Sequence, residues 1–199
     1  DDFACDYIYS GNREIDFELP GTLGVIQDAA DWRGATRHYP LWSAANWNPE
    51  ATSEVHFIQA KKADLTEAFL SRVKGRKDIV LALVASSAHA MADLRSCCMQ
   101  LDQMKCAVPV ILTRKLDDLD DESFQLFASV DLGAPLLDGF GDGIWMAGNQ
   151  ASLQLRNSTA FGILQATRTR ISKTEYICCP SCGRTLFDLQ ETTAKIRSV

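Results

Sequence analysis

Asp78-Ile-Val-Leu-Ala-Leu-Val84 is a nearly continuous run of aliphatic residues. A strand buried on one face alternates apolar and polar residues, whereas a strand covered on both faces loses that alternation. The run therefore predicts a central strand of a parallel sheet. Its neighbours agree. Ahead of it, Val55-His-Phe-Ile-Gln59 reads as another strand. Asp64 then caps a helix through Lys74, with Glu67 in the capping-box position and Leu65, Ala68, Phe69 and Val73 on one face. Gly75 ends that helix. Downstream, Ser87 opens a helix to about Lys105, and Val108-Pro-Val-Ile-Leu-Thr113 is the next strand, with Pro109 near its start where a proline is tolerated. A helix over Asp121 to Val130, a strand over Gly143-Ile-Trp-Met146 and a helix over Leu153 to Arg170 continue the order. Strands alternating with helices imply right-handed βαβ units and an α/β fold with a parallel sheet. Its closed form is a TIM-like barrel, and since such barrels take ~250 residues this one is abbreviated.

The first fifty residues are less regular. Asp6-Tyr-Ile-Tyr9 is a short strand candidate, and Leu23, Val25 and Ile26 form a second apolar run. The stretch from Asp31 to Pro49 holds Trp32, Trp42 and Trp47 together with Pro40 and Pro49. It reads as an irregular aromatic plug over one end of the core, because buried indoles supply so much apolar area.

Composition narrows the function. The chain has 199 residues, 46% of them hydrophobic, and a net charge of −6. That suffices for a substantial core and argues against a nucleic-acid partner. No apolar stretch is long enough to span a bilayer. Seven scattered cysteines, an odd number, indicate a reducing compartment rather than a disulfide framework. The chain begins Asp1-Asp-Phe-Ala-Cys without a signal-peptide pattern, a start that says nothing about native targeting.

The chemistry concentrates in the last thirty residues. Thr174 to Cys178 suits a strand, Pro180 and Gly183 force a turn, and Thr185 to Ile196 has helical spacing with Leu186, Leu189 and Ile196 on one side. The turn presents Cys179 and Cys182, two thiolates that converge on one soft metal centre. Three readings are open. A zinc ribbon needs a second ligand pair, but Cys97 and Cys98 are adjacent, Cys106 and Cys5 are isolated, and His38, His56 and His89 lack ligand spacing. A thioredoxin-like dithiol needs further strands after the motif. Half of an iron–sulfur site needs ligands from elsewhere.

Lys173-Thr-Glu-Tyr-Ile-Cys-Cys-Pro-Ser-Cys-Gly-Arg-Thr-Leu-Phe-Asp-Leu-Gln-Glu-Thr-Thr-Ala-Lys-Ile196 closely resembles the 4-hydroxy-3-methylbut-2-enyl diphosphate synthases, the iron–sulfur enzymes of the methylerythritol phosphate route to isoprenoids. Leu136-Leu-Asp-Gly-Phe-Gly-Asp-Gly-Ile144 and Phe161-Gly-Ile-Leu-Gln-Ala-Thr-Arg-Thr-Arg170 resemble them in the same order. Upstream the chain looks like the extra middle domain of the family's long form. The resemblance implies a barrel-like middle domain over residues 1–171, followed over 172–199 by the beginning of an α+β iron–sulfur domain. It implies that Cys179 and Cys182 bind a 4Fe–4S cluster, incomplete here, whose third cysteine and a glutamate belong to a later Gly-Cys…Asn-Gly-Pro-Gly-Glu segment. Cys178 is expected not to be a ligand. The N-terminal barrel that holds the cyclic diphosphate substrate is also missing, and no catalytic acid–base residue is expected in this part. Ferredoxin or flavodoxin is the implied electron donor, and the implied compartment is the cytoplasm for a bacterial protein or the plastid for a plant one. The reading from another class is an α/β module with a non-catalytic zinc knuckle.

Several smaller motifs have plainer readings. Asp117-Asp-Leu-Asp-Asp121 matches the acidic diphosphate motif of prenyl synthases, but its place between strand and helix suits capping. Gly139-Phe-Gly-Asp-Gly143 precedes a strand and reads as a tight turn, not a dinucleotide fingerprint. The resemblance aligns the following strand with one that carries an arginine and a serine toward substrate in short bacterial forms. Here it is Ile144-Trp-Met-Ala-Gly148, which implies that the barrel kept its architecture and lost an active site. His89 is expected to be structural, and Cys97 and Cys98 to be packed thiols. Arg168, Arg170 and Lys173 either draw an anionic partner toward the knuckle or simply suit a helix C-terminus.

Overall fold

The computed structural model describes residues 4–85, 87–175, 184 and 186–198. Strands β1 (Tyr7–Gly11), β2 (Gly24–Asp28) and β3 (His38–Ser43) come first, joined without helices. Then follow β4 (His56–Ala60), α1 (Glu67–Val73), β5 (Ile79–Ala85), α2 (Ala90–Gln103), β6 (Val110–Lys115), α3 (Asp121–Ala128), α4 (Ala134–Leu137), β7 (Gly143–Ala147) and α5 (Leu153–Ala166). A last helix, α6 (Leu189–Arg197), lies beyond the cysteine motif. The strands form one seven-stranded sheet in sequence order, every pair parallel. This is the expected abbreviated, TIM-barrel-like α/β fold.

The sheet buries both faces, as the apolar run of β5 requires. Outward side chains Ile58, Leu81, Leu83, Val110 and Leu112 pack with Leu70, Val73, Leu94, Phe124 and Leu132 of the helical layer. Inward side chains form a second cluster of Ile26, Leu41 and Phe57, with Tyr39, Val80, Ile111 and Trp145 against it. Tyr7 from β1 meets the Phe57 ring at 5.0 Å, and Tyr9 meets Trp145 of β7 at 5.2 Å. The sheet is therefore curled until its first and last strands touch through their inner side chains.

Strand β3 lies inside the stretch expected to be irregular. Pro40 hid it, since a proline argues against a central strand. The structure tolerates it because Pro40 is in register with Gln27 of β2, whereas the ladder to β4 starts only at Leu41. The plug reading holds for Trp47, which is buried beneath the guanidinium groups of Arg72 and Arg76 at 5.0 and 5.2 Å.

Helix starts shift for local reasons. Asp64 closes a one-turn 3₁₀ segment by accepting from Lys61 N–H at 2.8 Å, and Thr66 caps α1 by accepting from Phe69 N–H. Ser87 forms a turn ahead of α2, accepting from His89 N–H and donating to Asp93. Asp120 caps α3 through Ser123 N–H at 2.8 Å, so the acidic run has the expected capping role. Thr174 and Glu175 lie in no strand, and α6 begins at Leu189 under an Asp188 cap rather than at Thr185. The Gly139–Gly143 turn is tight as expected: Gly141 has φ +87°, and a Cβ there would stand 2.8 Å from the buried Leu112 side chain.

Between α3 and α4 the backbone widens into a π-helical turn, Ser129–Gly133. The extra residue turns Asp131 toward the sheet, where it accepts from Arg114 Nε at 2.9 Å. Arg114 also donates to the Ala85 carbonyl, and both partners of the ion pair are largely shielded. Removing one partner strands the other charge. Arg114→Met should lower the unfolding free energy by about 3–5 kcal/mol in urea titrations. Combining it with Asp131→Leu should recover most of the loss; a double variant no more stable than the single one refutes this account.

Candidate functional site

The predicted cluster ligands Cys179 and Cys182, like Cys178, lie outside the described residues. The approach to them is described. Helix α5 ends at Ala166, and Gln165, on its buried side, gathers the chain that follows. Its carboxamide oxygen accepts from Ser172 N–H at 2.7 Å and from Lys173 N–H at 3.3 Å. Its NH₂ donates to the Lys173 carbonyl at 3.0 Å and to the Glu175 carboxylate at 2.9 Å. Arg168 adds a 2.7 Å ion pair to Glu175. One buried amide, with donors and acceptor all in use, thus fixes the segment that leads to the cysteines. The sequence reading missed Gln165; its only signal is a polar side chain on the helix face that also carries Phe161.

The two arginines of the cationic cluster before the motif are both paired, while Lys173 is exposed. Besides the Arg168–Glu175 pair, Arg170 binds the Asp6 carboxylate at 2.8 Å and the Ala4 carbonyl, and lies over the Phe161 ring. These contacts favour the structural reading of the two arginines. Beyond the motif, Leu186, Phe187 and Ile196 are exposed on and just before α6.

α/β barrels build their sites at the C-terminal rim of the strands. Tyr9 donates to Asp28 at 2.7 Å, and burial first, then this hydrogen bond, pushes its pKa to about 12. Lys115 pairs with Asp117 at 2.6 Å, and Asn149 exchanges two hydrogen bonds with Asp118. These groups pair with one another, while Ser10 Oγ and Asp117 Oδ1 are buried without a hydrogen-bond partner. Beneath them the rings of Tyr7, Tyr39, Phe57 and Trp145 occupy the barrel interior.

Of the remaining cysteines, Cys5 is exposed and the other three are packing residues. Cys97, Cys98 and Cys106 are buried, and burial pushes the first two thiols up to about 11 and about 12. His89 is exposed at the start of α2. Among the described residues no three His, Cys, Asp or Glu side chains gather as a metal site. No helix among them is long and apolar enough to cross a membrane.

The fold is an α/β half-barrel of parallel strands, the sequence after it carries Cys179 and Cys182, and sequence comparison names the family. The 4-hydroxy-3-methylbut-2-en-1-yl diphosphate synthase (flavodoxin) of Parabacteroides distasonis is 40% identical over 194 residues, 96% of this chain and 32% of that protein. The synthase of the same name from Porphyromonas gingivalis is 44% identical over 142 residues, 71% of this chain and 24% of that protein. The chloroplastic ferredoxin form of Oryza sativa is 50% identical over 70 residues, 35% of this chain and 9% of that protein. The chain belongs to the 4-hydroxy-3-methylbut-2-en-1-yl diphosphate synthase family and spans about a third of the length of the curated relatives it matches. No protein-family model matches it, and no solved structure does.

One buried titratable group went unread in the sequence. His56 is 1% exposed, stacked against Trp42 and edge-on to Trp47, with Asp78 at 3.9 Å. Burial lowers its pKa; Asp78 opposes that and Arg76 adds to it. A lowered folded pKa means that, below the ordinary value near 6.5, the unfolded chain takes up a proton which the folded chain resists. Stability is therefore complete above about pH 6.5 and falls as pH drops toward the folded value. Melting temperatures should fall between about pH 7.5 and about pH 5.5, and His56→Gln should flatten that fall. Parallel profiles for the two proteins would assign the acid sensitivity elsewhere.

Proposed function

We propose that the chain is the middle barrel, residues 1–171, and the start of the iron–sulfur domain, residues 172–199, of a long-form 4-hydroxy-3-methylbut-2-enyl diphosphate synthase. The observation that carries this is the 40% identity to the Parabacteroides synthase over 96% of the chain, cysteine motif included. The whole enzyme would open 2-C-methylerythritol 2,4-cyclodiphosphate reductively with two electrons and loss of water. Flavodoxin or ferredoxin would deliver the electrons, in keeping with the two kinds of relative. The cytoplasm is the compartment that suits a protein resembling these bacterial synthases, and the plastid that of a plant counterpart.

Cys179 and Cys182 would hold a 4Fe–4S cluster; two thiolates at this spacing match half of such a donor set, so the other ligands come from outside the 199 residues. Bound there, the cluster supplies one-electron transfer to the substrate. This chain's own contribution is positional: Gln165 and Arg168 tether the segment ahead of the cysteines, and α5 ties that tether to the barrel. The barrel itself binds no cyclic diphosphate in this reading. Trp145 points into the interior from the strand that the resemblance aligns with the family's substrate-facing one, and Tyr9 and Tyr39 crowd the same space. Its role is that of a spacer that lets the cluster domain close over the substrate barrel within one chain. Deleting residues 1–171 from the full-length enzyme should abolish turnover by the monomer; a soluble, fully active monomer refutes the spacer role.

Metal analysis of the full-length protein, purified without oxygen, tests the ligand assignment. About four irons and four labile sulfides per chain are expected, lost in Cys179→Ser and Cys182→Ser. One zinc without sulfide would establish the non-catalytic knuckle instead.

A further inference from the structure

The curled sheet has two edges that face each other. Among the described residues strand β1 pairs only with β2, and β7 only with β6. Yet the Tyr9 and Trp145 rings meet across the gap at 5.2 Å, and Arg170 at the end of α5 reaches Asp6 and Ala4 ahead of β1. The gap is a narrow seam between neighbours.

The ladder pattern shows which backbone groups line it. Gly24 N–H donates to the Asp6 carbonyl, so Asp6 and Ile8 face β2, while Tyr7 and Tyr9 turn their N–H and C=O groups into the seam. Leu116 N–H donates to the Ala147 carbonyl, so Trp145 and Ala147 face β6, while Ile144 and Met146 turn theirs into the seam. Tyr7 and Tyr9 point their rings into the barrel and are nevertheless 40% and 48% exposed. The β1 ladder is regular from Tyr7 to Tyr9 and shifts register only between Tyr9 and Gly11, at its far end, so Tyr7 and Tyr9 on one edge and Ile144 and Met146 on the other form a template for another strand.

We propose that a strand of the same polypeptide, from outside these 199 residues, lies in the seam and closes the barrel as an eighth, parallel strand. Eight is the strand number at which a barrel's interior is just filled by side chains, as the aromatic cluster fills this one. The relatives are about three times as long as the chain, so ample polypeptide exists to supply the strand. The segment that follows α5 does not take the place: Ser172–Glu175 is tied to Gln165 and Arg168 and pairs with neither edge. The inserted strand carries small residues on its inner face, because the Tyr9 and Trp145 rings already meet there. The proposal rests on the chain being part of a longer protein, and not on the reaction that protein performs.

Amide hydrogen exchange tests it. The full-length polypeptide and the 199-residue chain are compared at Tyr7, Tyr9, Ile144 and Met146, with β4 and β5 as internal references. The four seam amides should exchange at least about tenfold more slowly in the full-length protein, while the references stay alike. The same protection is expected in full-length Cys179→Ser, which separates it from any loss of the cluster. Equal, fast exchange in both proteins overturns the proposal. So does slow exchange in the monomeric 199-residue chain, which would mean that it closes on itself. Protection of that chain that disappears on dilution assigns the seam to a second copy and overturns it equally.

Discussion

The architecture depends on one constraint: a parallel sheet must have both faces covered. From β4 onward the chain meets it on the outside with helices returned after each strand, and Leu81, Leu83 and Leu112 pack against them. On the inside the described residues supply no second sheet, and the strands curl and cover their inner faces with one another's side chains. Short, helix-free links between β1, β2, β3 and β4 leave the first part of the outer face to the Trp47 loop and its arginine cover. The same curl brings β1 against β7.

That constraint also explains what could be read in advance. Runs such as 78–84 announce two-sided burial directly, and capping residues announce helices within a few positions. What escaped the sequence depended on partners remote along the chain. Pro40 looks like a breaker until the β4 ladder is seen to begin one residue later. Asp64 looks like a helix cap, but Thr66 is better placed to serve α1. The π-helical turn is invisible because its reason is Arg114, fifteen residues upstream of Ser129 and on the opposite element. Of the candidate site, the paired cysteines were legible as chemistry. Gln165 was not, because a glutamine on a helix carries no local sign that its amide will hold the next segment.

The barrel interior bears on function by what fills it. An α/β barrel that binds a ligand needs room at the carboxyl ends of its strands. Here Tyr9, Tyr39, Phe57 and Trp145 occupy the space beneath the rim, and the rim carboxylates are engaged by Tyr9 and Lys115. Such packing stabilises the barrel through aromatic burial and edge-to-face contact, about 0.5–1.5 kcal/mol per pair beyond area. Packing of this kind suits the spacer role proposed for the barrel.

Rigidity matters only if it reaches the cysteines, and Gln165 supplies the connection. A flexible link would leave the ligand pair to search a wide volume before a metal centre could be completed from elsewhere. Instead the backbone from Ser172 to Glu175 is held by one buried amide whose helix packs on the sheet. Loss of any one of these bonds leaves a buried polar group unsatisfied, at about 1–3 kcal/mol, so the tether releases only when the end of α5 itself loosens. The seam belongs to the same mechanics. Arg170, two residues beyond Arg168, spans from α5 to the entry of β1, so whatever steadies the β1 edge also steadies the helix end from which the cysteine segment departs.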